Sequence, residues 1–98
     1  GEDVVLNCHV ELPPPDLEVQ WTRADNDMLV HLYVEGGDLP PHYQYRGRTE
    51  LFYEEIPNGN VSLKLHKVTL RDRGSYRCTV SAQGLSGEAV VELTVAGE

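Results

Sequence analysis

The sequence lacks an excess of basic residues. Its 8 lysines and arginines stand against 16 aspartates and glutamates, which gives a formal net charge of −8. Nucleic acids and anionic membrane surfaces both attract proteins that carry a basic footprint. The charge balance therefore predicts no nucleic-acid partner and argues against binding to an anionic membrane surface.

The chain also lacks a long hydrophobic run. No stretch approaches the roughly 18 apolar residues that a membrane-spanning helix requires, and the N-terminus shows no signal-peptide pattern. The sequence opens at Gly1-Glu2-Asp3, directly ahead of an alternating strand pattern. We therefore interpret residues 1–98 as one domain, an ectodomain fragment in which part of the first strand is missing.

Patterns for catalysis or metal binding are absent as well. The sequence contains no nucleophile–base set and no glycine-rich loop that leads into a helix. The histidines are scattered without a second ligand at metal spacing. These residues are His9, His31, His42 and His66. The carboxylates of Glu54-Glu55 and of Asp25 and Asp27 could hold a cation, but solvated turn carboxylates are commoner. The sequence predicts no enzyme, no metal, no cofactor and no small-molecule substrate.

Cysteine is scarce, with Cys8 and Cys78 as the sole pair. A short chain with two cysteines and no metal spacing favours a structural disulfide over a reactive thiol. Closing a loop of about 70 residues would contribute roughly 4 kcal/mol in the chain-entropy model. Trp21 follows Cys8 at the spacing typical of a core tryptophan that packs on an inter-sheet disulfide. The less favoured alternative is an exposed tryptophan in a ligand cage.

The segment Asp72-x-Gly74-x-Tyr76-x-Cys78 carries the most specific pattern in the chain. A tyrosine two residues before the second cysteine is typical of a tyrosine corner, in which its hydroxyl bonds to backbone a few residues upstream. Gly74 suits a position where the chain bends and a side chain would be crowded. This pattern predicts a fold and says little about chemistry.

Short alternating segments with turn signals between them, and no helical period, predict an all-β sandwich. The stretch between Trp21 and Arg48 has room for the two extra strands of a variable-type domain. We predict an immunoglobulin-like β-sandwich of variable type (V-set) with Greek-key connections. The predicted strands lie at residues 4–10, 19–23, 28–34, 48–53, 61–65, 76–80 and 88–95, and a six-residue loop spans 82–87.

Three segments resemble the butyrophilin and myelin-oligodendrocyte-glycoprotein family, which is related to the T-cell costimulatory ligands. They are Val30–Tyr33, Tyr45–Leu51 and Val61–Leu65. The resemblance implies the ectodomain of a single-pass protein, on the extracellular side of the plasma membrane, that binds a protein on another cell and modulates T-cell responses. It also implies a structural bridge between Arg48 and Asp72. Many members of that family carry an aromatic residue where this chain has Arg77, so no specific ligand is implied.

The strand alternation predicts which side chains meet a partner. If Trp21 and Cys78 point inward, their strand neighbours point outward from the same sheet. The predicted partner-binding face comprises Gln20, Thr22, His31, Tyr33, Arg77, Thr79, Gln83, Leu85, Val90 and Glu92. For each residue the alternative is an ordinary solvated surface. A second hypothesis is homophilic adhesion, in which this face meets its own copy in a homodimer, although the net charge opposes self-association.

Asn60-Val61-Ser62 matches the acceptor sequence for N-glycosylation. Its position at a turn, together with the extracellular interpretation, favours modification of Asn60. The three-residue pattern is also common by chance, so the alternative is an unmodified turn residue.

Overall fold

The computed structural model describes residues 2–11, 17–34, 37–39, 45–82 and 85–94. Within these ranges eight strands form two antiparallel sheets. The strands are β1 (Glu2–Leu6), β2 (Glu18–Arg23), β3 (Leu29–Val34), β4 (Gly37–Leu39), β5 (Thr49–Leu51), β6 (Leu63–Val68), β7 (Gly74–Ala82) and β8 (Leu85–Leu93). Two 3₁₀ segments, Tyr53–Asn58 and Leu70–Asp72, lie in the connections.

The two sheets contain strands that alternate along the chain. The smaller sheet has the order β1-β6-β5, and the larger sheet has the order β4-β3-β2-β7-β8. The chain leaves the larger sheet after β4, forms β5 and β6 in the smaller sheet, and returns as β7 beside β2. The predicted all-β, variable-type sandwich is confirmed by this architecture.

The core lies between the sheets because each strand places alternate side chains inward. In β6, Leu63 and Leu65 are fully buried, and the intervening Lys64 is partly exposed. In β2, Val19 and Trp21 are fully buried and Gln20 between them is exposed. Removal of these apolar side chains from water provides most of the driving force for folding.

Several boundaries differ from the sequence prediction. The strand predicted for residues 48–53 ends at Leu51 and is followed by the 3₁₀ helix, which contains Pro57. Gly59 ends that helix with a φ of 96°, a conformation that glycine adopts without strain. The six-residue loop predicted for residues 82–87 is wrong, because Ala82 pairs with Leu85 and the strands continue to that point.

Some predictions fall outside the described residues. They include the end of the strand predicted for residues 88–95, because residue 95 lies beyond the described range. In the ranges that the structure describes, no helix has the length and apolar character needed to cross a bilayer.

Candidate functional site

A covalent clamp holds the interior of the sandwich together. A disulfide joins Cys8 to Cys78, whose Cα atoms are 6.6 Å apart. Trp21 lies directly opposite Cys78 in the ladder between β2 and β7 and is fully buried. The indole Nε1 donates a hydrogen bond to the carbonyl oxygen of Val61 at 3.0 Å, so its polar atom is satisfied inside the core. The predicted disulfide and inward tryptophan are both present, and neither is available to a partner.

A second structural cluster fixes the turn before β7. The hydroxyl of Tyr76 donates to the backbone carbonyl of Asp72 at 2.5 Å, which is the geometry of a tyrosine corner. Burial raises the pKa of Tyr76 above its ordinary value. The Asp72 carboxylate accepts hydrogen bonds from Arg48 Nη2 and from the backbone N–H of Thr69. The structure therefore forms both the corner and the Arg48–Asp72 bridge.

The sequence analysis missed Arg23, at the end of β2. Its Nη1 donates to the hydroxyls of Tyr45 at 3.2 Å and Tyr76 at 3.1 Å, and its Nη2 donates to the backbone carbonyl of Arg73 at 2.9 Å. The guanidinium also lies 5.0 Å from the centre of the Tyr76 ring. A Cβ at Gly74 would lie 3.0 Å from Arg23 Nη2. Gly74, two positions before Tyr76, was therefore the sequence signal that another side chain approaches the backbone at this turn.

The outer face of the larger sheet presents side chains that these clusters do not use. Residues directly opposite each other in antiparallel strands point to the same face. Gln20 pairs with Thr79, and Thr79 pairs with Glu88; in the next row, Arg77 pairs with Val90. Because the neighbouring residues on β2 and β7 point inward, this set points outward. Val90 is 59% exposed, which makes it a prominent apolar side chain on a polar surface.

Two residues predicted for this face point the other way. His31 lies opposite Trp21, and Tyr33 lies opposite Val19, so both share the inner face of the sheet. His31 is 4% exposed, and its Nδ1 is 2.9 Å from Thr49 Oγ1 on the facing sheet. The Tyr33 ring is half-buried, packs against the core, and lies 5.8 Å from the Tyr53 ring. The prediction of an outward orientation for both was wrong because a one-residue shift in register exchanges the two faces of a strand.

The outward side of β3 instead carries Leu32, which lies opposite Gln20. Thr22 requires a further correction. It is 6% exposed, although the prediction placed it on the solvent-facing surface. It lies between Leu29 and Arg77 in the sheet, at the point where the register between β2 and β3 shifts. Thr22 therefore cannot contact a partner directly.

Two further predicted face residues cannot be placed. Gln83 and the side chain of Leu85 lie outside the described part of the molecule. The remaining predicted positions are found together on the outer face, and their role in binding stays a prediction. They are Gln20, Arg77, Thr79, Val90 and Glu92.

Asn60 lies beside the smaller sheet, where it forms an isolated bridge with His9. Its Nδ2 donates to Glu55 Oε1 at 3.0 Å, and its Oδ1 accepts from the backbone N–H of Ser62 at 3.2 Å. Ser62 is buried, and its hydroxyl accepts the Cys8 N–H at 3.0 Å. Glycosylation of Asn60 stays a prediction.

His66 on β6 lies between two carboxylates from neighbouring strands. Its Nδ1 is 3.2 Å from Asp3 Oδ2, and its Nε2 is 3.2 Å from Glu50 Oε1. The hydrogen bond to His66 holds the pKa of Asp3 below its usual range. The two ring nitrogens point to different carboxylates, which is the geometry of a strand-to-strand bridge. In the described ranges, no three His, Cys, Asp or Glu side chains are grouped to hold a metal ion.

Comparison with known proteins agrees with this architecture. The family model for the immunoglobulin V-set domain matches residues 1–96. The chain is 36% identical to the rat V-set domain-containing T-cell activation inhibitor 1 over 99 residues, which cover 94% of this chain and 34% of that protein. It is 33% identical to mouse butyrophilin-like protein 2 over 99 residues, which cover 97% of this chain and 22% of that protein.

A solved structure shows the same fold. The human B7-H4 IgV-like domain matches with a TM-score of 0.81 and 35% sequence identity, over 94% of this chain and 84% of that chain. V-set domains of butyrophilin-like and B7 proteins are receptor or ligand domains without enzymatic activity. The chain spans about a fifth to a third of the length of the curated relatives described here.

Proposed function

The chain belongs to the immunoglobulin V-set family, and on that premise we propose that it is the recognition domain of an immune regulatory cell-surface protein. It binds a protein on another cell and thereby modulates T-cell responses. It lies on the extracellular side of the plasma membrane, as part of the ectodomain of a single-pass membrane protein. The disulfide between Cys8 and Cys78 fits that oxidising compartment.

The observation that carries the proposal is the likeness of the whole domain to immune regulators. One relative is named as a T-cell activation inhibitor, and it matches 94% of this chain at 36% identity. Butyrophilin-like protein 2 matches a similar span. These likenesses support protein recognition as the activity and T cells as the context.

The outer face of the larger sheet is the surface proposed for that recognition. The residues that stabilise the sandwich, including Trp21 and Tyr76, are fully buried. Thr79 and Val90, in contrast, point outward and belong to neither structural cluster. A protein can change such side chains without losing its fold, which is what a surface with a specific partner requires. A mixed polar and apolar surface also suits a modest, reversible contact.

The two outer faces of the sandwich offer a matched pair of positions for a test. Val90 lies on β8 of the larger sheet and is 59% exposed, and Val5 lies on β1 of the smaller sheet and is 42% exposed. Each would be replaced by arginine in fluorescent tetramers of the domain. A panel of leukocytes would be stained with wild-type, Val90→Arg and Val5→Arg tetramers, and thermal melting would verify that all three are folded.

We expect the wild-type and Val5→Arg tetramers to stain activated T cells and the Val90→Arg tetramer to lose most of its staining. A bulky charged side chain at Val90 would keep a partner from closing on the sheet. Equal staining by all three would show that the partner binds elsewhere on the domain. An absence of wild-type staining from every leukocyte would contradict the proposed function itself. A plate-coated domain should also change interleukin-2 secretion by stimulated T cells.

A further inference from the structure

The outer face of the larger sheet carries an uneven set of charges. In the part of the sheet that the structure describes, exposed carboxylates contributed by β2, by the turn after it and by β8 surround a single guanidinium, that of Arg77. The carboxylates belong to Glu18, Asp27, Glu88 and Glu92.

Arg77 cannot neutralise all of these carboxylates. Its Nη1 lies 2.9 Å from Asp27 Oδ1, and its Nε lies 3.8 Å from Glu88 Oε2. Glu92 accepts a hydrogen bond from the neutral hydroxyl of Ser75 at 3.0 Å. The four acidic side chains on this face outnumber its one basic side chain, so the surface carries a local negative potential.

The opposite outer face is different. On the smaller sheet, Asp3 and Glu50 both contact His66, and Glu50 also lies opposite Lys64 in the ladder. Both of these carboxylates have a basic or titratable neighbour. Among the described residues, the outer face of the larger sheet therefore has a greater excess of carboxylates over basic side chains than the outer face of the smaller sheet.

An apolar side chain lies within the acidic surface. Glu88, Val90 and Glu92 alternate along β8, so all three point to the same face, with about 7 Å between successive side chains. Val90 is thus flanked by two carboxylates on its own strand and by Arg77 on the neighbouring strand. The resulting pattern is an apolar contact point within a rim of negative charge.

We propose that this face recognises a basic protein surface, in which lysine or arginine side chains surround an apolar group that packs on Val90. This inference rests on the proposed function and specifies the chemistry of the partner. Opposite charges across an interface raise the rate of encounter and exclude partners of like charge. A second copy of this chain would bring one acidic face against another, which disfavours homophilic pairing through this surface.

The test compares two variants of equal net charge. The face variant carries Glu18→Gln, Glu88→Gln and Glu92→Gln. The control carries Glu2→Gln, Glu11→Gln and Glu54→Gln, three exposed positions away from the larger sheet's outer face. Both lose three negative charges, so a difference between them reports the location of the charge. Tetramers of each would stain activated T cells in sucrose-balanced media at low and high sodium chloride.

We expect the face variant to stain about tenfold more weakly than the control, because electrostatic attraction acts mainly on the rate of association. Wild-type staining should fall as salt rises, and staining by the face variant should change less. The face variant and the control could instead stain equally while Val90→Arg abolishes staining. That result would overturn the proposal of a basic partner surface and leave the proposed function intact. No wild-type staining would overturn both. A wild-type dimer in sedimentation that Val90→Arg dissociates would identify a second copy as the occupant and overturn the basic partner.

Discussion

Replacement of Arg48 by lysine tests the bridge that closes the turn before β7. The Arg48 guanidinium donates to the Asp72 carboxylate, to the carbonyl of His66 at 3.2 Å and to the carbonyl of Lys67 at 3.3 Å. These acceptors lie in different directions, and the planar guanidinium reaches all of them. A lysine ammonium is a compact charge on a flexible stem, so it can keep the carboxylate and lose both carbonyls.

The expected loss follows from those two hydrogen bonds. Each contributes about 1 kcal/mol net, so Arg48→Lys should lower the free energy of unfolding by about 2 kcal/mol. The Arg48 side chain is 22% exposed, so solvent competes only in part for these acceptors. A domain of this size has an unfolding entropy for which 1 kcal/mol corresponds to roughly 5 °C. The melting temperature should therefore fall by about 10 °C.

The assay is thermal unfolding followed by circular dichroism, with Arg46→Lys as the matched control. Arg46 is exposed and lies two positions away, so the same chemical change there should leave the melting temperature unaltered. If Arg48→Lys melts at the wild-type temperature, then the hydrogen bonds of the guanidinium to the two carbonyls do not stabilise this turn.

Three further predictions concern the same framework. Gly74→Ala should lower the free energy of unfolding in urea by about 2 kcal/mol, because φ is 132° there and the new Cβ would meet Arg23. Gly87→Ala, which has open space around it, should be nearly neutral. Equal effects of the two substitutions would contradict the close approach of Arg23 to Gly74. Burial raises the pKa of Tyr76 above its ordinary value of 10.0, so the stability that its neutral hydroxyl provides is present below pH 10 and is lost as the pH rises further. The difference in unfolding free energy between wild type and Tyr76→Phe should therefore shrink above pH 10. A difference that stays constant with pH would refute this role of the hydroxyl. The hydrogen bond from His66 lowers the pKa of Asp3, so wild type should melt at a higher temperature than Asp3→Asn above pH 3.8. This difference should decline below pH 3.8. A difference in melting temperature that does not depend on pH would show that the contact between Asp3 and His66 does not stabilise the fold.

Local sequence patterns were enough to predict the framework. A disulfide, the indole that packs on it and the corner hydroxyl must meet in one core, so the residues that supply them have a characteristic spacing in the sequence. These residues are Cys8, Trp21, Tyr76 and Cys78. Alternation along β7 and β8 then identified Thr79 and Val90 as outward-facing. The orientations of Thr79 and Val90 could be inferred because Cys78 marks the inward-facing positions of β7, which pairs with β8.

The same reasoning failed on β3 because nothing in its sequence indicated its register. His31 and Tyr33 were expected to join the outer face from the neighbouring strand, but pairing with Trp21 and Val19 places them inside. Thr49 on the facing sheet satisfies the His31 ring, and that partner is distant in sequence. Arg23 was missed for the same reason, since its acceptors come from segments that only the folded chain brings together.

The proposed docking surface can be tested most directly with an engineered glycan. Thr79→Asn creates an Asn-Val-Ser acceptor on the outer face of the larger sheet, and Lys67→Asn creates an Asn-Val-Thr acceptor at the end of β6 in the smaller sheet. Lys67 has a φ of 54°, which asparagine tolerates well. After secretion from mammalian cells and confirmation of the added mass, tetramers of both variants would be compared on activated T cells. We predict that the glycan at position 79 abolishes staining and that the glycan at position 67 leaves it unchanged; staining that survives the first and is lost with the second would place the partner on the opposite sheet.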